Sequence, residues 1–242
     1  MRPLLCSLLL VLLTCLPVSA DVDCDGVDDL LTTGSALSNF FSASTGTVMG
    51  WVKVTSDVPD ACFGGANMLT DDATFWGVGR TSDGSQSFCA YLYDGANILT
   101  ILNTKTNGWH HLAWTHGSGT QTLYLDGVSI ASAAAGDISF MGGLLVMCKE
   151  MPDRLADLRT YTSVLSVDEL AVIAQSHLRG IGRTQPSGYW PLTACGDGAA
   201  GNTVTFLDRS GNGRNATGDD GANNTGLTCR ASEYLTHAWG PN

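Results

Sequence analysis

The sequence predicts an all-β protein folded as an antiparallel sandwich or barrel. Five segments alternate apolar and polar residues, are rich in β-branched and aromatic side chains, and end at clusters of Gly, Asp, Asn or Ser. They are Thr47–Val54, Ser87–Tyr93, Ile98–Leu102, Trp109–His116 and Thr122–Leu125. No helical pattern separates these segments, so neighbouring strands are expected to pair antiparallel.

The clearest hairpin of the chain is centred on Asp126-Gly127. This pair joins Leu123–Leu125 to Val128–Ile130. Asp and Gly accept the positive φ angles that a two-residue type I′ turn requires. We therefore expect these two short segments to pair directly.

One helix is predicted, beginning at Ser166. Ser166 and Glu169 have the spacing of a capping box, and Leu165 and Leu170 have that of a hydrophobic staple. Gly180 is a suitable residue to end the helix. In a β protein, a single helix is expected to cover one end of the sandwich.

Composition excludes two classes of protein. The hydrophobic fraction of 44% argues against disorder. The 12 Lys and Arg residues are outnumbered by 23 Asp and Glu, which gives a net charge of −11. Because nucleic-acid binding needs clustered basic residues, we predict no nucleic-acid partner.

Residues 1–20 are predicted to be a secretory signal peptide. A basic start is followed by a Leu-rich run over Leu4–Leu16 and by the small residues of Val18–Ala20. The run is short for a membrane span, which needs about 20 apolar residues. No later segment is long and apolar enough to span a bilayer, so the mature chain, residues 21–242, is predicted to be secreted, extracellular and without a membrane span.

The cysteines predict disulfides. Cys6 and Cys15 leave with the signal peptide, and the six that remain are widely spaced, unlike zinc ligands. These six are Cys24, Cys62, Cys89, Cys148, Cys195 and Cys229. The sequence does not choose among the pairings. One arrangement joins Cys62 to Cys89 and Cys195 to Cys229, which leaves Cys24 with Cys148.

Several segments, in this order, resemble the laminin-G-like, concanavalin A-like lectin/glucanase jelly-roll domains. They are Cys24–Leu30, Thr47–Val54, Trp109–Trp114, Leu123–Gly127, Leu155–Tyr161 and Leu165–Leu170. The resemblance implies an antiparallel two-sheet jelly-roll sandwich over residues 21–182, with one short helix. It also implies a binding module for a glycan or an extracellular protein.

The C-terminal part departs from the family pattern. Tyr189–Leu192 and Asp208–Gly213 resemble the opening strand and turn of the family, yet they come last here. Leu227–Leu235 looks like a second copy of Cys24–Leu30. Residues 183–242 are therefore predicted to supply a strand to the same sandwich, which would be circularly permuted, or to a neighbouring one. The second arrangement would give self-association into a head-to-tail filament.

The sequence predicts no enzyme and no catalytic residue. Jelly-roll hydrolases need two carboxyl groups on either side of the scissile bond. The chain has three Glu, namely Glu150, Glu169 and Glu233, and Glu169 is already used by the capping box. Adjacent Asp residues on a strand point to opposite faces. A glycan hydrolase remains an alternative function.

Two further kinds of site are predicted from polar loops. Carboxylate and amide oxygens in Gly-rich loops can bind calcium, although the same residues favour ordinary Asx-turns. The calcium candidates are Asp208, Asn212, Asp219 and Asp220. The glycosylation candidates are the sequons at Asn215 and Asn223.

The tryptophans divide into two groups. Those in strongly patterned strands, Trp51, Trp109 and Trp114, are expected in the core. The others, Trp76, Trp190 and Trp239, are less constrained and are candidates for stacking on sugars, although core packing is the more common role of any single tryptophan. The predicted function is a secreted, non-catalytic binding module, with a structural filament subunit as the alternative.

Overall fold

The computed structural model describes residues 20–24, 29–54, 67–71, 76–80, 88–92, 97–100, 108–138, 141–149, 154–175, 184–192, 204–219 and 228–231. Within these ranges most residues lie in β-strands. The strands are β1 (Ala20–Asp23), β2 (Leu30–Ala36), β3 (Thr45–Val54), β4 (Asn67–Asp71), β5 (Trp76–Arg80), β6 (Phe88–Leu92), β7 (Asn97–Thr100), β8 (Gly108–Gly117), β9 (Thr120–Leu125), β10 (Val128–Ala134), β11 (Leu144–Lys149), β12 (Arg154–Tyr161), β13 (Gly188–Trp190), β14 (Val204–Phe206), β15 (Ala216–Asp219) and β16 (Thr228–Ala231). A 3-10 turn covers Leu37–Asn39, and helix α1 covers Val167–Gln175.

The strands form two antiparallel sheets, which confirms the predicted jelly-roll sandwich. The front sheet has the order β10-β9-β8-β3-β12-β1-β16, and β13 also pairs with β12. The back sheet has the order β14-β15-β2-β11-β4-β5-β6-β7. The described residues of the five segments predicted as strands lie in β3, β6, β7, β8 and β9.

The predicted hairpin is also confirmed. Leu125 pairs with Val128 across the turn, and Asp126 and Gly127 have φ angles of 51° and 81°. Both values lie in the left-handed region that a type I′ turn uses. A Cβ atom at Gly127 would lie 3.0 Å from the Cα of Ala171 in α1, so this turn packs closely against the helix.

The core lies between the two sheets. The inward-facing side chains of β3 are Val48 and Val52, and Gly50 between them leaves room for Leu158 of β12 and Met68 of the back sheet. A Cβ atom at Gly50 would overlap a methyl group of Leu158. A residue larger than Gly at the centre of β3 would therefore force Leu158 to shift within the close-packed core.

Helix α1 packs on the outer face of the front sheet. Its Leu170 and Ile173 form a second apolar cluster with Met49, Ala113 and Tyr161. The expectation that the helix covers an end of the sandwich was wrong, because these sheet residues alternate with core residues and therefore face outward. The capping box is confirmed, since Ser166 N–H donates to Glu169 (2.9 Å) and Glu169 N–H donates to the Ser166 hydroxyl (3.3 Å).

The C-terminal segment supplies strands to the sandwich of its own chain. β13 pairs with β12, β15 with β2, and β16 with β1. Trp190 in β13 is fully buried, with its ring centroid 5.6 Å from that of Phe40. Its indole N–H donates to the Arg214 carbonyl at 2.9 Å. The expectation that Trp190 is less constrained was therefore wrong.

A disulfide joins the two sheets. It links Cys24, directly after β1, to Cys148 of β11, with their Cα atoms 6.1 Å apart. Cys89 is disulfide-bonded as well. Cys62 and Cys195 lie outside the described residues, and for Cys229 in β16 only the backbone is described.

Candidate functional site

Two tryptophans lie beside helix α1 on the outer face of the front sheet. Trp51 and Lys53 continue the face of β3 on which Met49 meets the helix. Trp109 and His111 continue the corresponding face of β8. In the register of these strands, Trp51 is opposite His111 and Lys53 is opposite Trp109. Trp51, Lys53 and Trp109 are partly exposed.

We call this region the tryptophan face, formed by Trp51, Lys53, Trp109, His111 and Arg154. The ring centroids of Trp51 and His111 are 5.4 Å apart in an edge-to-face arrangement. The guanidinium carbon of Arg154 lies 5.9 Å from the centroid of Trp109. Both indole rings therefore have a neighbour that fixes their orientation.

Strand β1 supplies the carboxylate that pairs with Arg154 of this face. Asp21 is fully buried and accepts two hydrogen bonds from Arg154, at 2.6 Å to Nε and 2.8 Å to the second nitrogen. A bidentate pair of this kind fixes the guanidinium plane as well as its position. Asp23 is two residues further along β1 and is opposite Arg154 in the sheet register.

The expected division of the tryptophans needs correction. Trp114 is in the core, as expected, and is completely buried. Trp51 and Trp109 were expected there too, but they lie on the outer face and are partly exposed. The alternation of Trp51 with Lys53 was the signal that could have revealed this, because a Lys side chain rarely faces a core. The Trp76 side chain and Trp239 lie outside the described residues.

His110 and Asp126 form a hydrogen bond that stabilises the turn of the β9–β10 hairpin, next to this face. His110 Nδ1 lies 2.9 Å from one carboxylate oxygen of Asp126, and the other accepts from the His111 N–H at 2.8 Å. Burial alone would raise the pKa of Asp126, but these hydrogen bonds outweigh burial, so the pKa is lowered. His110 packs against Phe88 of the back sheet and so faces inward.

A second buried ion pair lies within β12, and its arginine contacts the C-terminal segment. Asp157 has a φ of 54° at a β-bulge and accepts hydrogen bonds from Arg159 at 2.9 and 3.0 Å. The guanidinium carbon of Arg159 lies 4.6 Å from the ring centroid of Tyr189 in β13. Burial raises the pKa of the neighbouring Tyr161, and Arg159 offsets part of that effect.

The loop that carries two of the calcium candidates is organised as an Asx-turn. The carboxylate of Asp208 accepts hydrogen bonds from the backbone N–H of Tyr189 (3.0 Å), Ser210 (2.8 Å) and Arg214 (3.0 Å). It also accepts one from the Ser210 hydroxyl at 2.8 Å. Asn212 donates its side-chain N–H to the Ser187 carbonyl at 3.0 Å. This geometry favours the turn over a metal site.

The other candidates are only partly visible. The Asp219 side chain, Asp220 and Asn223 lie outside the described residues. In the part of the chain that the structure describes, no group of three or more His, Cys, Asp or Glu residues is arranged to hold a metal ion. Asn215 is exposed, and its side-chain oxygen accepts from Asp208 N–H at 3.0 Å. Calcium binding and glycosylation stay predictions.

A comparison with known families identifies the sandwich. Residues 25–171 match a laminin G family model described as the concanavalin A-like lectin/glucanases superfamily. The matched residues cover more than half of the chain. The chain belongs to this superfamily. The resemblance inferred from the strand motifs is thereby confirmed. A search of curated protein sequences finds no match.

Solved structures share the fold of this superfamily member at low identity. A "putative carbohydrate binding protein" from Bacteroides ovatus has a TM-score of 0.60 and 13% identity, covering 90% of this chain and 61% of that one. This chain therefore spans less than two thirds of that protein. A heptameric SAP-like pentraxin from Limulus polyphemus has a TM-score of 0.51 and 14% identity, covering 69% and 87%. The receptor-binding domain of botulinum neurotoxin C/D mosaic serotype has a TM-score of 0.50 and 13% identity, covering 66% and 43%.

At these identities, the solved structures show the fold of the chain. Among the described residues, no helix combines the length and the apolar character needed to cross a bilayer. Of the three Glu residues, Glu169 serves the helix cap and accepts a further hydrogen bond from Thr184 at 3.0 Å. Glu150 and Glu233 lie outside the described residues.

Proposed function

We propose that this protein is a secreted, non-catalytic module that binds glycans through the tryptophan face. The observation that carries the proposal is the pair of partly exposed indoles, Trp51 and Trp109, on one face of one sheet. Membership in a superfamily of lectins and glucanases supports a glycan as the ligand. Secretion rests on the predicted signal peptide and agrees with the Cys24–Cys148 disulfide, since disulfides persist in oxidising compartments.

The chemistry of the face suits a sugar. Aromatic rings pack against the apolar C–H side of a pyranose, and a few polar groups at the border orient its hydroxyls. Lys53 lies directly between Trp109 and Arg154 across the strands, so a polar group adjoins the indole. The edge-to-face contact with His111 limits rotation of the Trp51 ring, which reduces the entropy lost on binding.

The proposal is tested by measuring the binding of neutral polysaccharides, such as cellulose fragments, xylan, mannan and laminarin, to the mature protein. Trp51→Ala and Trp109→Ala should each weaken binding by at least about tenfold, as expected for a stacking residue. Trp109→Phe keeps a ring and should retain part of the affinity. Val128→Ala, at an exposed site of β10, is the control. Equal binding by all four variants would refute the proposed site.

The mature protein also tests the two alternative functions, a glycan hydrolase and a filament subunit. A hydrolase would release reducing ends from the polysaccharide panel during incubation, whereas a binding module would not. A filament subunit would form long assemblies in negative-stain microscopy. The pairing of β16 with β1 of its own chain favours the binding module, because a donated strand would have to replace that pairing.

A further inference from the structure

We propose that Arg154 is a positioning residue of the tryptophan face, which holds the indole of Trp109 in the orientation that stacks on a sugar. This inference rests on the glycan-binding function proposed above and adds to it a residue that acts through Trp109. Asp21 completes the arrangement, because its carboxylate fixes the guanidinium of Arg154 through two hydrogen bonds.

The indoles of Trp51 and Trp109 have their nitrogen atoms turned inward. Both residues are partly exposed, yet the Nε1 atom of each is buried. The exposed part of each side chain therefore consists of carbon atoms. Apolar carbon is the surface against which the C–H side of a pyranose packs. A sugar at this face is therefore expected to stack on the rings without a hydrogen bond from the indole N–H.

The guanidinium of Arg154 lies on the buried side of the Trp109 ring. Its Cζ atom is 5.9 Å from the ring centroid, which is within reach of a cation–π contact. The Arg154 side chain is only 8% exposed, whereas Trp109 is partly exposed. The side of the indole away from the guanidinium is therefore the side that a sugar can reach.

This contact requires a long and planar side chain. Arg154 is in β12 and Trp109 is in β8, with Lys53 of β3 between them in the register. The guanidinium thus reaches across one strand while it donates to both carboxylate oxygens of Asp21, at 2.6 and 2.8 Å. Lysine has the same charge but lacks the planar group and its paired donors, so it does not replace arginine in both contacts.

The orientation of the indole is separate from the charge of this region. Arg230 of β16 is opposite Asp21 in the register, and the predicted mature chain carries its α-amino group at Asp21. Positive charge near Asp21 therefore has several sources, but the guanidinium of Arg154 is the group that lies over Trp109. A substitution that keeps the charge at residue 154 isolates its positioning role.

Arg154→Lys and Arg159→Lys form a matched pair of variants. Both residues are buried arginines of β12 that bind a carboxylate through two hydrogen bonds. The guanidinium carbon of Arg159 also lies over an aromatic ring, 4.6 Å from the centroid of Tyr189. Both substitutions keep the net charge, and only the first removes the contact with Trp109.

The first readout is the hydrogen exchange of the Trp109 indole N–H, measured by NMR on the mature protein without a glycan. The signal is assigned with Trp109→Phe. The N–H of Trp114, in the core, reports global unfolding and is the internal reference. Relative to Trp114, the Trp109 N–H should exchange at least about tenfold faster in Arg154→Lys, the effect of losing a desolvated cation–π contact. In Arg159→Lys the ratio should be that of the unsubstituted protein, and equal ratios in the two variants would overturn the inference.

The second readout is calorimetry with cellohexaose. A ring that is no longer held in place must be ordered on binding, which weakens the affinity by about two- to tenfold. Arg154→Lys should show this loss relative to Arg159→Lys. In a Trp109→Ala background it should cause no further loss, because no indole remains to be positioned. An equal loss with and without Trp109 would contradict a positioning role.

The two readouts fail separately. If the unsubstituted protein does not bind cellohexaose, the glycan-binding function fails, while the exchange ratio still decides whether Arg154 orients Trp109. If Arg154→Lys does not fold, Asp21→Asn replaces it, because asparagine leaves Arg154 with one acceptor oxygen, and Asp157→Asn is its control. The same difference in exchange ratio is then expected within this second pair, and its absence would overturn the inference.

Discussion

Replacing Asp208 with alanine should destabilise the protein substantially. The Asp208 carboxylate accepts from the backbone N–H groups of Tyr189, Ser210 and Arg214 and from the Ser210 hydroxyl. The hydroxyl has a second acceptor, the Ser187 carbonyl at 3.4 Å, so its loss is partly compensated. The Ser210 N–H is buried, whereas water can reach the partly buried amides of Tyr189 and Arg214.

The magnitude follows from these four bonds. A buried donor left without an acceptor costs about 1–3 kcal/mol, and a partly solvated one costs less. Asp208→Ala should therefore lower the free energy of unfolding by about 2–4 kcal/mol. For a domain of this size, that corresponds to a fall in Tm of roughly 4–16 °C. The assay is urea denaturation followed by tryptophan fluorescence, repeated as a thermal melt.

Asn212→Ala is the control, because Asn212 is exposed and its side chain donates to Ser187 and Ser210. It should cost less than about 1 kcal/mol. Both variants are melted with EDTA and with millimolar calcium. If the loop acts as an Asx-turn, the cost of Asp208→Ala is the same in both solutions. A cost below about 1 kcal/mol would refute the hydrogen-bond argument, and a cost that appears only with calcium would establish the metal site.

Three further perturbations have definite expected outcomes. Trp190→Ala, at a fully buried ring, should lower the free energy of unfolding by about 3–5 kcal/mol in urea titrations, and Trp51→Ala by clearly less. Because the pKa of Asp126 is lowered in the folded protein, its carboxylate stabilises the fold at pH values above the ordinary pKa of 3.8. This stabilisation is lost as the pH falls through the lowered pKa. Asp126→Asn should therefore flatten the acid side of a Tm–pH profile, and an unchanged profile would contradict the pKa argument. Because the pKa of Tyr161 is raised in the folded protein, the neutral phenol contributes stability at pH values below the ordinary pKa of 10.0. This stability is lost as the pH rises above 10.0 and through the raised pKa. Tyr161→Phe should lose less stability in alkaline melts than the unsubstituted protein does.

Local features of the chain were predictable from the sequence. The Asp126-Gly127 turn and the Ser166–Glu169 cap depend on backbone geometry and hydrogen bonds within a few residues. The five strands also follow from local alternation, which the two faces of a sheet impose. These features were confirmed because their stabilising contacts are close in sequence.

The candidate site depends on contacts between distant segments, which composition and spacing do not encode. Trp190 is buried because β13 pairs with β12 and places its ring against Phe40. Trp51 and Trp109 are at the surface because helix α1 covers only part of the outer face. Alternation shows that two residues share a face, but it does not show which face the helix will cover.

The terminal segments have a direct consequence for the tryptophan face. Asp21 and Asp23 belong to β1, a strand of four residues held between β12 and β16. Such a short strand has few contacts of its own, so its position depends on hydrogen bonds from both neighbours. Since β16 belongs to the C-terminal segment, that segment also holds the two acids in place. The pairing of the C-terminal segment and the charge of the candidate site are therefore parts of one arrangement.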